Sequence, residues 1–147
     1  MPGTVTLHRV IAAPPERVFK AFVTPGAFAK WLPPNGFFAT VHSMDPKEGG
    51  TYKMSFTNLT TGNGNSFGGK YVEMVPGKKL KYTSRFEDPN MPGEMYNTIT
   101  FTKSIAGTDI KVVQEGIPDM IPPDMCYLGW QESLDQLIAL VTPEINQ

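Results

Sequence analysis

Six consecutive segments in the middle of the chain alternate between apolar and polar residues, and this pattern restricts the fold more than any other. The segments are residues 38–44, 50–58, 68–75, 79–87, 95–103 and 108–115. Alternation with a period of two is typical of strands that bury one face. Gly, Pro, Asn and Asp fill the short connections, and such turns favour pairing between consecutive antiparallel strands. The pattern therefore predicts an antiparallel meander.

The residues before the meander predict one strand and two short helices. Residues 4–11 are rich in β-branched side chains, which favour a strand. In the run APPERVFKAFV, Pro14 and Pro15 suit the start of a helix, and Pro25 ends it. Residues 26–32 predict a second short helix, which the two prolines that follow should stop.

The C-terminal region carries the stripe of a long amphipathic helix within residues 126–141. Counted from Trp130, the apolar residues Leu134, Leu137, Ile138 and Val141 fall at offsets of four, seven, eight and eleven. We expect this helix to begin at Gly129-Trp130. An antiparallel sheet of six or seven strands curls, and its concave face must be covered. The order of elements therefore predicts an α+β fold in which the sheet wraps around the C-terminal helix.

The composition limits the classes of protein and of partner. A length of 147 residues predicts a single domain, residues 1–147, with a sizeable core. The net charge is −1 and the charged residues are scattered along the chain, so we expect neither nucleic acid nor a membrane as partner. The single cysteine, Cys126, excludes a disulfide and a site made of several cysteines. Without a visible signal peptide or a bilayer-long apolar run, we expect a cytoplasmic protein.

Several motifs of the chain resemble those of a known family in the same order. The run APPERVFKAFVTPGAFAKWLPPNGF, residues 13–37, is similar to the opening signature of proteins like the activator of the heat-shock-protein-90 ATPase. EGGTYKM, VEMVPGKKLKYT, GTDIKVVQEGIP and GWQESLDQL resemble later motifs of that family. Its superfamily includes the START lipid-transfer domains, the major birch-pollen allergen and the aromatic polyketide cyclases. The resemblance implies a helix-grip fold, in which a curved antiparallel sheet of six to seven strands surrounds a long C-terminal helix.

The resemblance also implies a hydrophobic pocket between the sheet and that helix. Alternation and the helical stripe predict its lining as Tyr52, Met54, Phe56, Tyr82, Ser84, Phe86, Ile110, Val112, Gln114, Trp130, Leu134, Leu137 and Ile138. Trp31, Tyr71 and Tyr96 are candidates for its rim. Such stripes usually form a closed core, but hydroxyls and an amide among apolar groups are typical of a ligand site. At Gly129 we expect either a close approach to the sheet or a loop position before the helix.

Three functions are consistent with these features. We expect a binding domain for a small hydrophobic or aromatic ligand, and the alternatives are a chaperone-interacting protein or an enzyme like the polyketide cyclases. The chaperone regulators of the family carry a further N-terminal domain, so a chaperone is the less favoured partner. No catalytic or metal-binding motif is recognisable, and we expect no metal or cofactor. For an enzyme, the candidate catalytic residues are His42, Tyr82 and Arg85.

Overall fold

The computed structural model describes residues 3–145, which form one sheet and three helices. The elements follow in the order β1 (Gly3–Ile11), α1 (Pro15–Val23), α2 (Pro25–Trp31), β2 (Phe37–Met44), β3 (Thr51–Asn58), β4 (Gly64–Val75), β5 (Lys79–Phe86), β6 (Met95–Ser104), β7 (Gly107–Ile117) and α3 (Pro123–Val141). This is the predicted order of one strand, two short helices, six strands and a long helix.

The seven strands form one antiparallel sheet in the order β1-β7-β6-β5-β4-β3-β2. Strands β2 to β7 are a meander, and β1 joins its far end beside β7. The predicted α+β helix-grip fold is thereby confirmed. Strand β4 begins at Gly64, earlier than predicted, because residues 64–67 continue to pair with β3 as far as Thr57.

Helix α3 begins at Pro123, not at Gly129 as the sequence predicted. Pro122 and Pro123 start it, since a proline lacks the N–H that the first turn would leave unbonded. Gly129 therefore lies inside the helix, and a Cβ placed there would meet no atom within 4 Å. Neither expectation for this glycine holds: it is not a loop residue, and it does not touch the sheet.

A cluster of aromatic rings lies where α1 meets α2 and strand β6. The ring of Phe22 lies 4.6 Å from that of Trp31 and 5.4 Å from that of Phe101, centroid to centroid, and both pairs meet edge to face. The indole N–H of Trp31 donates to the Ala21 carbonyl at 2.8 Å, so this buried polar group is satisfied. Trp31 is therefore a core residue and not part of a pocket rim. Within residues 3–145, no helix is both long and apolar enough to cross a membrane.

Candidate ligand-binding cavity

A cavity of about 210 Å³ separates part of the sheet from the first half of α3. Side chains from β3 to β7 form its floor. Cys126, Gly129, Trp130 and Ser133 of α3 form its roof. The segment after α2 closes one side through Leu32 and Pro34. Gly129 matters here because a larger residue would occupy part of this space.

The wall nearest to solvent is apolar and largely aromatic. The ring of Phe67 lies 4.9 Å from that of Phe56 and 6.3 Å from that of Phe86. Met95 adds a flexible apolar side chain to the same cavity. Phe56, Phe86 and Cys126 are only half-buried, so we place the mouth of the cavity among them.

A continuous set of hydrogen bonds crosses the floor of the cavity from α3 to β3. The Trp130 indole N–H donates to Gln114 Oε1 at 3.2 Å, and Gln114 Nε2 donates to Asn97 Oδ1 at 2.8 Å. Asn97 Nδ2 then donates to Ser84 Oγ at 2.8 Å. Ser84 Oγ lies 3.1 Å from the Tyr52 hydroxyl. We call these five residues the polar network, and all five are buried.

The donors at both ends of the polar network are known, and they determine the donor and the acceptor in every hydrogen bond between them. The indole of Trp130 is a donor only, so it holds the Gln114 amide with its oxygen toward α3. The single hydrogen of the Tyr52 hydroxyl goes to the Thr83 carbonyl at 2.8 Å. Ser84 must therefore donate to Tyr52, and each member donates to the next. Every member of the network thus has at least one hydrogen-bond partner within it.

An interruption in the sheet supplies the carbonyl that ends the polar network. The β4–β5 register passes from Gly68↔Arg85 to Tyr71↔Tyr82 without ladder pairs between them. There the Lys70 backbone N–H donates to the Thr83 hydroxyl at 3.0 Å instead of to a backbone carbonyl. The Thr83 carbonyl is left to accept from Tyr52. The local loss of regular pairing thus provides a free backbone carbonyl that holds the Tyr52 hydroxyl.

Hydrogen bonds fix the segment after α2 against α3, so that side of the cavity is held in place. Ser133 Oγ donates to the Leu32 carbonyl at 2.6 Å. Gln136 Nε2 donates to the carbonyls of Trp31 at 3.0 Å and Pro33 at 2.7 Å. These bonds satisfy the carbonyls at the end of α2. They also hold α3 against the C-terminal end of α2.

The cavity carries no charge. Its lining contains no Asp, Glu, Lys, Arg or His among residues 3–145. Burial raises the pKa of the Tyr52 and Tyr82 hydroxyls above the ordinary value, so both stay neutral at physiological pH. Burial also raises the pKa of the Cys126 thiol, which weakens it as a nucleophile. The described part of the chain holds no cluster of His, Cys, Asp and Glu suited to a metal ion.

The structure divides the predicted pocket residues into two groups. Seven line the cavity: Tyr52, Phe56, Tyr82, Ser84, Phe86, Gln114 and Trp130. The other six pack in the core away from it: Met54, Ile110, Val112, Leu134, Leu137 and Ile138. Of the remaining rim candidates, Tyr71 is buried beside Tyr82 without lining the cavity, and Tyr96 is exposed.

Sequence reasoning missed eight residues of the lining. They are Leu32, Pro34, Phe67, Met95, Asn97, Cys126, Gly129 and Ser133. Alternation could have found Met95 and Asn97, since they share a face with the buried Ile99 and Phe101 of the same strand. No local pattern marks the segment after α2, because its place in the wall depends on its bonds to α3.

The structure does not bring the three candidate catalytic residues together. Tyr82 lies in the cavity wall. His42 and Arg85 are exposed, and Arg85 points away from its buried neighbour Ser84. His42 sits at an irregularity between Val41 and Ser43, which explains why its facing is ambiguous in the sequence. Its Nε2 atom lies 2.6 Å from Ser55 Oγ, outside the cavity.

The curled sheet, the helix across its concave face and the space between them define a helix-grip domain. The chain belongs to the family described as activator of Hsp90 ATPase homolog 1-like proteins, whose model matches residues 12–142. This family is part of the START/Bet v 1-like superfamily, as the motifs of the sequence implied.

Solved structures of bacterial proteins are similar along the whole chain. A protein from Chromobacterium violaceum is 55% identical, with a TM-score of 0.96 over 98% of this chain and 100% of that one. A protein from Rhodobacter sphaeroides is 19% identical, with a TM-score of 0.83 over 95% of each chain. An AHSA1-like protein from Aeromonas hydrophila is 17% identical, with a TM-score of 0.79 over 99% of each. The last two show the fold alone. Among curated proteins, none matches the chain.

Proposed function

We propose that the protein is a single-domain, cytoplasmic binding protein for a small hydrophobic or aromatic ligand held between the sheet and α3. The observation that carries this proposal is an apolar cavity of about 210 Å³ that opens between the sheet and α3 and has buried polar groups along its floor. Apolar walls with a few polar groups are typical of sites for small ligands.

The size of the cavity limits the size of the ligand. Its volume of about 210 Å³ is small for a binding site, since typical ligand pockets reach about 300–1,000 Å³. An apolar cavity of about 150 Å³ accommodates benzene. We therefore expect a compound with one ring and a few further atoms, or a short branched chain of similar volume. A long acyl chain or a sterol would not fit without displacing α3.

Nuclear magnetic resonance with a panel of single-ring compounds tests this proposal directly. The two tryptophans form an internal control, because Trp130 lines the cavity and Trp31 lies in the packed core. A ligand in the cavity should shift the indole N–H signal of Trp130 and the side-chain amide signals of Asn97 and Gln114. The Trp31 indole signal should stay in place.

Two results would count against a binding function. One is a panel in which no compound shifts Trp130, while native mass spectrometry of protein from its own source shows no bound mass. The other is a set of shifts confined to the outer surface of the sheet. A bound mass that is lost on denaturation, together with a Trp130 shift when that compound is added back, would support the proposal and identify the ligand.

A second candidate function is binding to a chaperone, which the name of the family favours. One surface feature supports it: Met125 and Leu128, at the start of α3, are 63% and 60% exposed. Exposed apolar side chains that lie close together are typical of interaction sites. If they bind an Hsp90-type chaperone, replacing both by Lys should abolish co-sedimentation with that chaperone. The Trp130 response to cavity ligands should persist in this variant.

A further inference from the structure

The hydroxyl of Tyr82 is a polar group in the cavity wall without a hydrogen-bond partner among residues 3–145. The side chain is 4% exposed and lines the cavity. Its hydroxyl is not one of the fully buried side-chain atoms that lack a hydrogen-bond partner, so it keeps some accessible surface. The free space that the Tyr82 side chain borders is the cavity, so we assign its hydroxyl to that space.

The hydroxyl of the neighbouring Tyr52, unlike that of Tyr82, has hydrogen-bond partners within the protein. Its ring centroid lies 5.9 Å from that of Tyr82. Yet its hydroxyl donates to the Thr83 carbonyl and meets Ser84 Oγ. The polar network thus uses Tyr52 and leaves Tyr82 out. A buried donor without an acceptor is costly, so a partner for Tyr82 has to come from within the cavity.

The other polar groups around the cavity show what kind of partner is missing. Both hydrogens of Asn97 Nδ2 are used, toward Ser84 Oγ and the Tyr82 carbonyl at 3.3 Å. Ser133 directs its hydrogen to the carbonyls of Leu32 and Gly129. The oxygens of these groups retain second lone pairs, which cost little when unfilled. The unmet donors are the Tyr82 O–H and the second hydrogen of Gln114 Nε2, whose first hydrogen goes to Asn97, and both call for an acceptor.

The absence of charge in the lining excludes an ionised acceptor. A carboxylate or phosphate buried beside neutral tyrosines and phenylalanines would lose its hydration without gaining a cation. A neutral oxygen with free lone pairs, as in a ketone, an aldehyde, an ester or an amide, costs far less to bury. It can accept the Tyr82 hydrogen while its apolar remainder lies against Phe56, Phe67 and Phe86.

From this geometry we propose that the cavity selects an uncharged carbonyl compound of single-ring size, whose oxygen accepts a hydrogen bond from Tyr82. The proposal rests on the binding function above and names the class of its ligand. Tyr82 is the residue that determines specificity, and the aromatic wall supplies the apolar contact. The hydrogen bonds of the polar network keep the floor of the cavity in place.

Three probes and two variants separate this inference from binding as such. Acetophenone carries the carbonyl, α-methylstyrene replaces its oxygen by a methylene of nearly the same shape, and benzoate carries a charge. The variants are Tyr82→Phe and the matched control Tyr71→Phe, since Tyr71 is buried opposite Tyr82 but does not line the cavity. Affinities are measured by titration of the Trp130 indole signal.

We expect Tyr82→Phe to weaken acetophenone binding by about threefold to tenfold, the effect of one net hydrogen bond. The same variant should leave α-methylstyrene binding unchanged, and Tyr71→Phe should change neither. Benzoate should bind much more weakly than acetophenone to the wild-type protein.

Other outcomes overturn the inference in distinguishable ways. If both neutral probes bind and Tyr82→Phe affects them equally or not at all, the carbonyl selectivity is wrong and the binding function stands. If benzoate binds as well as acetophenone, the requirement for a neutral ligand is wrong. If no probe moves Trp130 in the wild-type protein, the binding function fails and the inference fails with it.

Discussion

Two parts of strands β6 and β7 are built differently, although their side chains lie on the same face of the sheet. In one part, Ile99 pairs with Val112, and both are fully buried and apolar. Two residues further along, Asn97 pairs with Gln114, and both belong to the polar network beneath the cavity. We call these parts the packed half and the cavity half. Two residues along each strand thus separate a filled core from the floor of a cavity.

The difference between the halves comes from what covers them. Over the packed half, Phe19 and Phe22 of α1 meet Phe101 edge to face, with ring centroids 5.5 and 5.4 Å apart. Over the cavity half, the cover contains one aromatic ring, that of Trp130, together with smaller residues of α3 and of the segment after α2. Gly129 carries no side chain, and a Cβ placed there would meet no atom within 4 Å, so the space opposite the sheet is not filled at that point.

The largest contrast is expected from removing one phenylalanine from each half. Phe101→Ala should lower the free energy of unfolding by about 3–5 kcal/mol, because it leaves a void among packed rings. Phe86→Ala should cost about half as much, since Phe86 is half-buried and already faces empty space. Urea denaturation measures both changes. Equal losses would mean that the cavity half is as tightly packed as its counterpart.

The next largest effect tests whether the polar network acts as a unit. Asn97→Leu keeps a similar volume but leaves the Gln114 N–H without its acceptor and Ser84 without its donor. We expect a loss of about 1–3 kcal/mol in the free energy of unfolding.

The double variant Asn97→Leu/Gln114→Leu is the control for the network, because it removes both members of one hydrogen bond. It should cost less than the sum of the single variants. Strict additivity would show that Asn97 and Gln114 are energetically independent.

A smaller effect should appear at alkaline pH through buried tyrosines such as Tyr82. Burial raises the pKa of Tyr82 above its unfolded value near 10. The neutral phenol is then favoured in the folded state, so its contribution to stability is intact below pH 10 and is lost as the pH rises from there toward the folded pKa. Between pH 9 and pH 11, Tyr82→Phe should lose about 1 kcal/mol less stability than the wild-type protein.

Thermal or urea unfolding at the two pH values measures that difference. At pH 8, where the phenol is neutral in both states, the gap between the two proteins gives the baseline. Parallel losses of stability in both proteins between pH 9 and pH 11 would show that Tyr82 titrates no differently in the folded state.

The same contrast explains how far the sequence could be interpreted. Alternation, turn residues and the helical stripe predict the sheet order and the covering helix, because these are properties of neighbouring residues. They also place Ser84 and Gln114 on the buried face. They do not distinguish Val112 from Gln114 as core or cavity, since both point inward from one strand. That distinction depends on the cover, including Gly129, which reaches the site only after α3 is positioned over the sheet.

The smallest expected effect concerns Gly129, and it separates stability from binding. A Cβ at this position meets no atom within 4 Å, and a helical glycine is less favourable than alanine. Gly129→Ala should therefore raise the free energy of unfolding by about 0.5–1 kcal/mol. Gly69→Ala is the matched contrast, because its Cβ would overlap the Thr83 carbonyl oxygen and should destabilise the protein.

Because Gly129 also lines the cavity, the added methyl group in Gly129→Ala should reduce the space available to a ligand. We expect this variant to melt at a higher temperature than the wild-type protein and to bind acetophenone more weakly. A variant that is more stable and binds equally well would place the ligand away from α3. A variant that is less stable would mean that the helix is not free to accept a side chain here. The predicted combination instead indicates that this glycine keeps the space open at a small cost in stability.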